Sequence, residues 1–162
     1  MRSAECGVRN GGVVALGLCV LVIPCPVASE DQASGYTTQT IRGRVVYLAE
    51  AMEKQTGVRT VPEATQRILA LQTDAGDLIP LLEDVRGRAF RRDQRLRDMQ
   101  VELLVRRYRQ SPAVQILRVF EIAKDGRYEI DYWCDVCAIA IYEDRECDCC
   151  QGPVELRRRK VD

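Results

Sequence analysis

Five cysteines lie within residues 134–150: Cys134, Cys137, Cys147, Cys149 and Cys150. Cys134 and Cys137 form one C-x-x-C, and Cys147 and Cys150 form a second, with Gly152 just beyond it. Two cysteines three apart on a tight turn aim both sulfurs at one point, and N–H groups of that turn can hydrogen-bond the thiolates. A glycine past the second cysteine lets the chain reverse. Two such turns facing each other give tetrahedral sulfur ligation, which suits zinc. Cys134, Cys137, Cys147 and Cys150 are therefore the predicted ligands of a structural metal, with zinc the first choice and iron the second. Cys149 is left over, as a free thiol or as an alternative ligand, because adjacent cysteines compete for register.

Other chemistries use the same residues. The spacer between the two motifs is shorter than the roughly 15–20 residues common in zinc sites. In an exported chain the thiols would tend to oxidise to disulfides. The Cys134–Cys137 pair could do thiol redox chemistry, but that motif usually opens a helix, and here its flanks read as strands. Spacing alone does not separate zinc from tetrathiolate iron and electron transfer.

The rest of the chain offers little to a catalyst. It contains no histidine, which removes the most common general acid–base and mixed Cys/His metal sites. Ser34 and Ser111 have no evident base, so a serine nucleophile is unsupported. Glu143, Asp144 and Glu146 read as a polar loop beside the second motif, and Tyr132 and Trp133 as packing residues. Arginines in 86–97 and 106–109, with Phe90 and Tyr108 as stacking platforms, could form a groove for a polyanion. They also read as a solvated face balanced by Glu83, Asp84, Asp93, Asp98 and Glu102. With 24 basic and 24 acidic residues the second reading is preferred, and nucleic acid is not the expected partner.

The N-terminus has the order of a secretory signal peptide: Arg2 and Arg9, an apolar run from Gly11 to Val27, then Val27-Ala28-Ser29 before Glu30. Pro24 and Pro26 favour cleavage over an uncleaved membrane anchor. Removing residues 1–29 takes away Cys6, Cys19 and Cys25 and leaves only the five clustered cysteines. It also removes Arg2, Arg9 and Glu5, so the balance of 24 against 24 becomes a net charge of −1. The expectation is an exported chain, periplasmic or secreted, with no membrane span after cleavage.

The elements that would carry the cysteines are mainly β. Residues 30–40 read as a flexible linker, 41–49 as a strand, Glu50–Gln55 as helix stopped by Gly57, and Pro62–Arg67 as a short helical turn. Residues 68–73 and 78–83 form an expected hairpin around Asp74-Ala-Gly-Asp77, with Pro80 weakening its second strand. A short strand is expected over 86–91 and one helical turn over 93–100. Residues 101–108 and 114–122 are the clearest strands. About five strands and a brief helix over 41–126 suggest a small OB-like barrel. A three-stranded zinc-ribbon-like module over 127–157 follows, then a basic tail over 158–162. Such a ribbon is too small for an adequate core, so its metal would supply much of its folding free energy.

Arg42-Gly-Arg-Val-Val-Tyr-Leu-Ala-Glu-Ala51, Tyr132-Trp-Cys-Asp-Val-Cys137 and Cys147-Asp-Cys-Cys-Gln-Gly-Pro153 carry a resemblance, with support from Gly87–Phe90 and Val101–Val105. In these stretches the chain resembles a family of uncharacterised exported bacterial proteins, with an OB-like domain followed by a short cysteine module. The resemblance implies that architecture and no known activity. The expected function is a non-enzymatic binding or scaffold protein with a protein partner. Electron transfer or thiol redox at the cysteines is the first alternative, and polyanion binding by the barrel the second.

Overall fold

A computed structural model describes residues 35–161 of the chain, so the expected signal peptide over 1–29 lies outside the described residues. The chain then runs β1 (Tyr36–Tyr47), α1 (Leu48–Thr56), β2 (Leu69–Thr73), β3 (Leu78–Pro80), α2 (Val85–Arg92), α3 (Gln94–Asp98), β4 (Val101–Tyr108), β5 (Val114–Ala123), β6 (Gly126–Cys134), β7 (Ile139–Ile141) and β8 (Glu155–Val161). The fold is mainly β, as the strand patterns indicate. Among the described residues, no helix is long and apolar enough to cross a membrane.

All strands join one antiparallel sheet in the order β3-β2-β1-β4-β5-β6-β7, with β8 added on β6. The long strand β1 changes neighbours at Gly43, which pairs with Val101 of β4 on one side and Thr73 of β2 on the other. A Cβ at Gly43 would overlap the Gln72 carbonyl, so this crossing admits only glycine.

The barrel expected from the sequence is not closed. The first and fifth positions of the β3-to-β5 path meet through a single parallel bridge, Leu81 to Val114, with Leu82 N–H donating to the Val114 carbonyl at 2.8 Å. Pro80 gives the physical reason: it has no N–H to donate and ends β3 after three residues, so no ladder develops there.

The helices also depart in part from expectation. Residues 86–91 form α2 rather than a strand. The Asp84 side chain caps it, accepting from Arg86 N–H and Gly87 N–H at 3.1 Å each. Its buried face holds Gly87, Ala89 and Phe90. α1 ends where expected, at Gly57 in the left-handed conformation, whose N–H bonds to the Glu53 carbonyl at 2.8 Å. Residues 36–40, expected within the linker, begin β1 and pair with β4. Residues 158–161, expected as a tail, belong to β8.

β8 is held by charge as well as by its ladder. Arg157 makes a bidentate pair with buried Asp131 at 2.8 Å and 2.8 Å, Arg158 reaches Glu121 at 2.6 Å, and Arg159 reaches Glu129 at 2.8 Å. The core runs without a break from the barrel strands (Leu69, Leu71, Leu103, Val105, Ile116) to Tyr132, Cys134 and Cys147. The cysteine module thus buries two of its thiols in the core of the sheet instead of folding around a core of its own.

Candidate metal centre

Strand β6 ends at Cys134, and the chain turns through 135–138 so that Cys134 pairs with Ile139 at the start of β7. The second turn is closed by Cys147 N–H to the Gly152 carbonyl at 2.9 Å and Gln151 N–H to the Cys147 carbonyl at 2.8 Å. The two turns share a feature that spacing did not reveal. The residue after each second cysteine, Ala138 at φ 52° and Gln151 at φ 58°, is left-handed. Reversal after Cys150 therefore happens at Gln151. Gly152 supplies room, since a Cβ there would lie 3.3 Å from the Cys150 sulfur.

The two turns bring Cys134, Cys137, Cys147 and Cys150 together, with all four sulfurs within 4.8 Å of one another. The Cys134 and Cys150 sulfurs are 3.5 Å apart. Sulfurs placed tetrahedrally at about 2.3 Å from zinc lie about 3.8 Å from one another, so small shifts would accommodate the ion. Cys134 and Cys147 are buried, Cys137 and Cys150 partly so, and Cys149 is exposed; all five are free thiols.

The electrostatics explain why a cation suits this cluster. Backbone N–H groups of Cys150 and Cys149 point at the Cys147 sulfur and bring its pKa down to about 7. Cys137 is pushed up by the thiols of Cys149 and Cys150 beside it. At Cys134 the Cys137 N–H favours the thiolate, but burial and the thiols of Cys150 and Cys147 together outweigh it and raise the pKa. One thiolate forms readily, and each further one meets the charge of the first. A divalent ion removes that repulsion and lets the whole set deprotonate.

Arginines on α2 clamp the loop between the two turns. Glu143 is 0% exposed, and its Oε2 accepts from Arg88 Nε at 3.0 Å and Nη2 at 2.6 Å. Arg92 Nε lies 3.0 Å from Oε1 as an ionic contact, without the alignment of a hydrogen bond. Arg86 stacks on Tyr142 with its guanidinium 3.7 Å from the ring centre. On β6, the Tyr132 hydroxyl donates to buried Asp93 at 2.7 Å. From sequence, Glu143 reads as ordinary loop polarity. The available signal was Arg88 and Arg92 four apart, neighbours on one face once 85–92 is helical.

No family model, curated protein or solved structure matches this chain. Its chemistry is therefore read from its own residues.

Within 86–97 several of the arginines are already engaged. Arg91 binds Glu83 at 2.5 Å, Arg95 binds Asp93 at 2.8 Å, and Arg97 gives its hydrogens to the Phe90 and Arg91 carbonyls. Phe90 is fully buried and offers no stacking surface. The Tyr108 ring meets Tyr36 edge-on at 5.7 Å, and its hydroxyl bonds Gln115 at 2.9 Å.

Proposed function

We propose that the chain is a non-enzymatic exported binding or scaffold protein whose C-terminal module is held by a structural zinc ion. The observation that carries the metal reading is the gathering of four thiols from two facing turns within 4.8 Å. Two of them are buried in the sheet's own core, which suits an ion that fixes structure better than one that must exchange ligands or meet substrate. The resemblance to exported bacterial proteins with an OB-like domain and a cysteine module belongs to the same reading, as does the expected signal peptide. Docking of a protein partner is supported by Val136 at the tip of the first turn, 78% exposed, with half-exposed Ile139 and Tyr142 nearby.

Metal content and free-thiol count on chain purified without added metal or reductant test this reading. One zinc per chain, with four thiols protected until a chelator is added, is the expected result. Iron would turn the reading to electron transfer, and a metal-free chain with two disulfides would defeat it.

A further inference from the structure

β5 and β6 form a regular hairpin from Ala123–Gly126 to Phe120–Glu129, and there the pairing stops. Continued in register, Val119, Arg118 and Leu117 would face Ile130, Asp131 and Tyr132. Instead the strands part. β5 carries a register irregularity against β4, where Leu104 faces Arg118 but Val105 faces Ile116, leaving Leu117 as the extra residue. From Tyr132 onward, β7 occupies the edge of β6 that β5 has left. The parting leaves a cleft of about 220 Å³ lined by those same six residues. Ala89 of α2 and Leu96 of α3 floor it, and Arg86 and Tyr142 wall it.

Charge accounting at this cleft leaves one unmatched group. Three charged side chains other than Arg86 line it: Arg118, Glu129 and Asp131. Arg118 is paired with Glu129 at 2.8 Å, Glu129 also with Arg159 at 2.8 Å, and Asp131 with Arg157 at 2.8 Å. Among the described residues, the Arg86 guanidinium pairs with no carboxylate, the Asp84 side chain being engaged by the Arg86 backbone N–H and by Gln115. Its guanidinium carbon instead sits over the Tyr142 ring, 3.7 Å from the ring centre. Stacking fixes the plane of the guanidinium and leaves its edge N–H groups for a planar acceptor, the geometry in which arginine binds a carboxylate through two parallel bonds. Ala89, Leu96, Val119 and Ile130 supply an apolar interior behind it.

We propose that this cleft binds a small monocarboxylate with an apolar body, its carboxylate on Arg86 and its body between the parted strands. Arg86 is the one arginine of the lining without an ion-pair partner, and the carboxylates of Glu129 and Asp131 nearby disfavour a dianion, so a monoanion fits better than a phosphate monoester; an apolar lining favours a hydrocarbon stem over a sugar. The lining includes none of the four clustered cysteines.

Calorimetric titration of hexanoate and of hexanamide into the full chain tests the proposal. Saturable binding of hexanoate is expected, with the amide at least about tenfold weaker because it lacks the charge-assisted pair. Arg86→Gln should weaken hexanoate by a similar factor while leaving metal content unchanged, and Arg86→Lys, which keeps the charge, should weaken it less. Leu117→Trp, which fills the cleft and leaves Arg86 in the sequence, should abolish binding. A peptide with a free C-terminal leucine that binds better than hexanoate would assign the same carboxylate site to a chain end, and the reverse order would assign it to a free acid. Absence of saturable binding for every straight carboxylate from butyrate to octanoate, or equal affinity in the Arg86→Gln chain, would overturn the proposal.

Discussion

Arg88 Nη2 lies 2.6 Å from Oε2 of Glu143, a residue 55 positions away in the chain and wholly buried. The contact crosses from α2 to the loop between the two cysteine turns, so the helix that covers the sheet is tied to the loop that joins them. A buried carboxylate without partners is costly, whereas its arginines are about half exposed and can turn to water.

That asymmetry predicts unequal losses. Glu143→Ala should cost about 1–3 kcal/mol, since it removes the buried charge along with its bonds. Replacing Arg88 and Arg92 together by alanine leaves the charge uncompensated and should cost about 3–5 kcal/mol. Urea denaturation of the metal-loaded chain measures both, and a larger loss for Glu143→Ala would contradict the account.

The four clustered cysteines and the fifth should separate cleanly on substitution. Cys134→Ser and Cys147→Ser each remove a buried sulfur and should lose bound metal, whereas Cys149→Ser should retain it at full stoichiometry. Metal analysis after gel filtration reads the result. Loss in Cys149→Ser with retention in Cys150→Ser would exchange the fourth ligand.

The metal-free chain should form its first thiolate near neutral pH. In the folded chain Cys147 sits at about 7, below the usual thiol value of about 8.5, because two backbone N–H groups stabilise its thiolate. A lowered acid pKa contributes stability that is complete above the unfolded value and is lost as pH falls through about 7. Ultraviolet thiolate absorbance should therefore rise first near that pH in the metal-free protein, and Cys147→Ser should remove this early phase.

Acid should attack the joint between α3 and β6. Burial alone would raise the Asp93 pKa, but hydrogen bonds from the Arg95 guanidinium and the Tyr132 hydroxyl outweigh it and hold the carboxyl below its usual range. Its contribution is complete above about pH 4, the unfolded value, and fades as pH falls through the lower folded one. Tyr132→Phe removes one of those bonds, so it should cost about 1–3 kcal/mol at neutral pH and move the acid unfolding midpoint upward. Circular dichroism against pH, wild type beside variant, checks the shift, and coincident acid midpoints would speak against it.

Local signals carried much of this molecule. Alternating apolar residues marked β4 and β5, and Gly57 marked the end of α1. The paired C-x-x-C motifs marked the four thiols that do come together. Each of these depends on neighbours a few residues apart, and so each can be read from the chain.

Other features depend on partners far away in sequence. Arg-Gly-Arg-Ala-Phe-Arg in 86–91 alternates small or apolar with charged residues like a strand, but the Asp84 cap and the burial of Phe90 against the sheet make it a helix. The basic residues 157–160 look like a tail until Glu121, Glu129 and Asp131 on β5 and β6 are seen beside them. Pro80 predicted a weak strand, but only the folded chain shows that the two ends of the path meet at no more than the Leu81–Val114 bridge, so that the barrel stays open. By itself the sequence determined the β-rich class and the four-thiol set, because propensity and close spacing are local properties. Only the tertiary structure decided that Arg88 and Arg92 clamp Glu143, and that β5 and β6 part to leave a cleft beside Arg86, because buried charges and strand registers are settled between segments that meet only when the chain has folded.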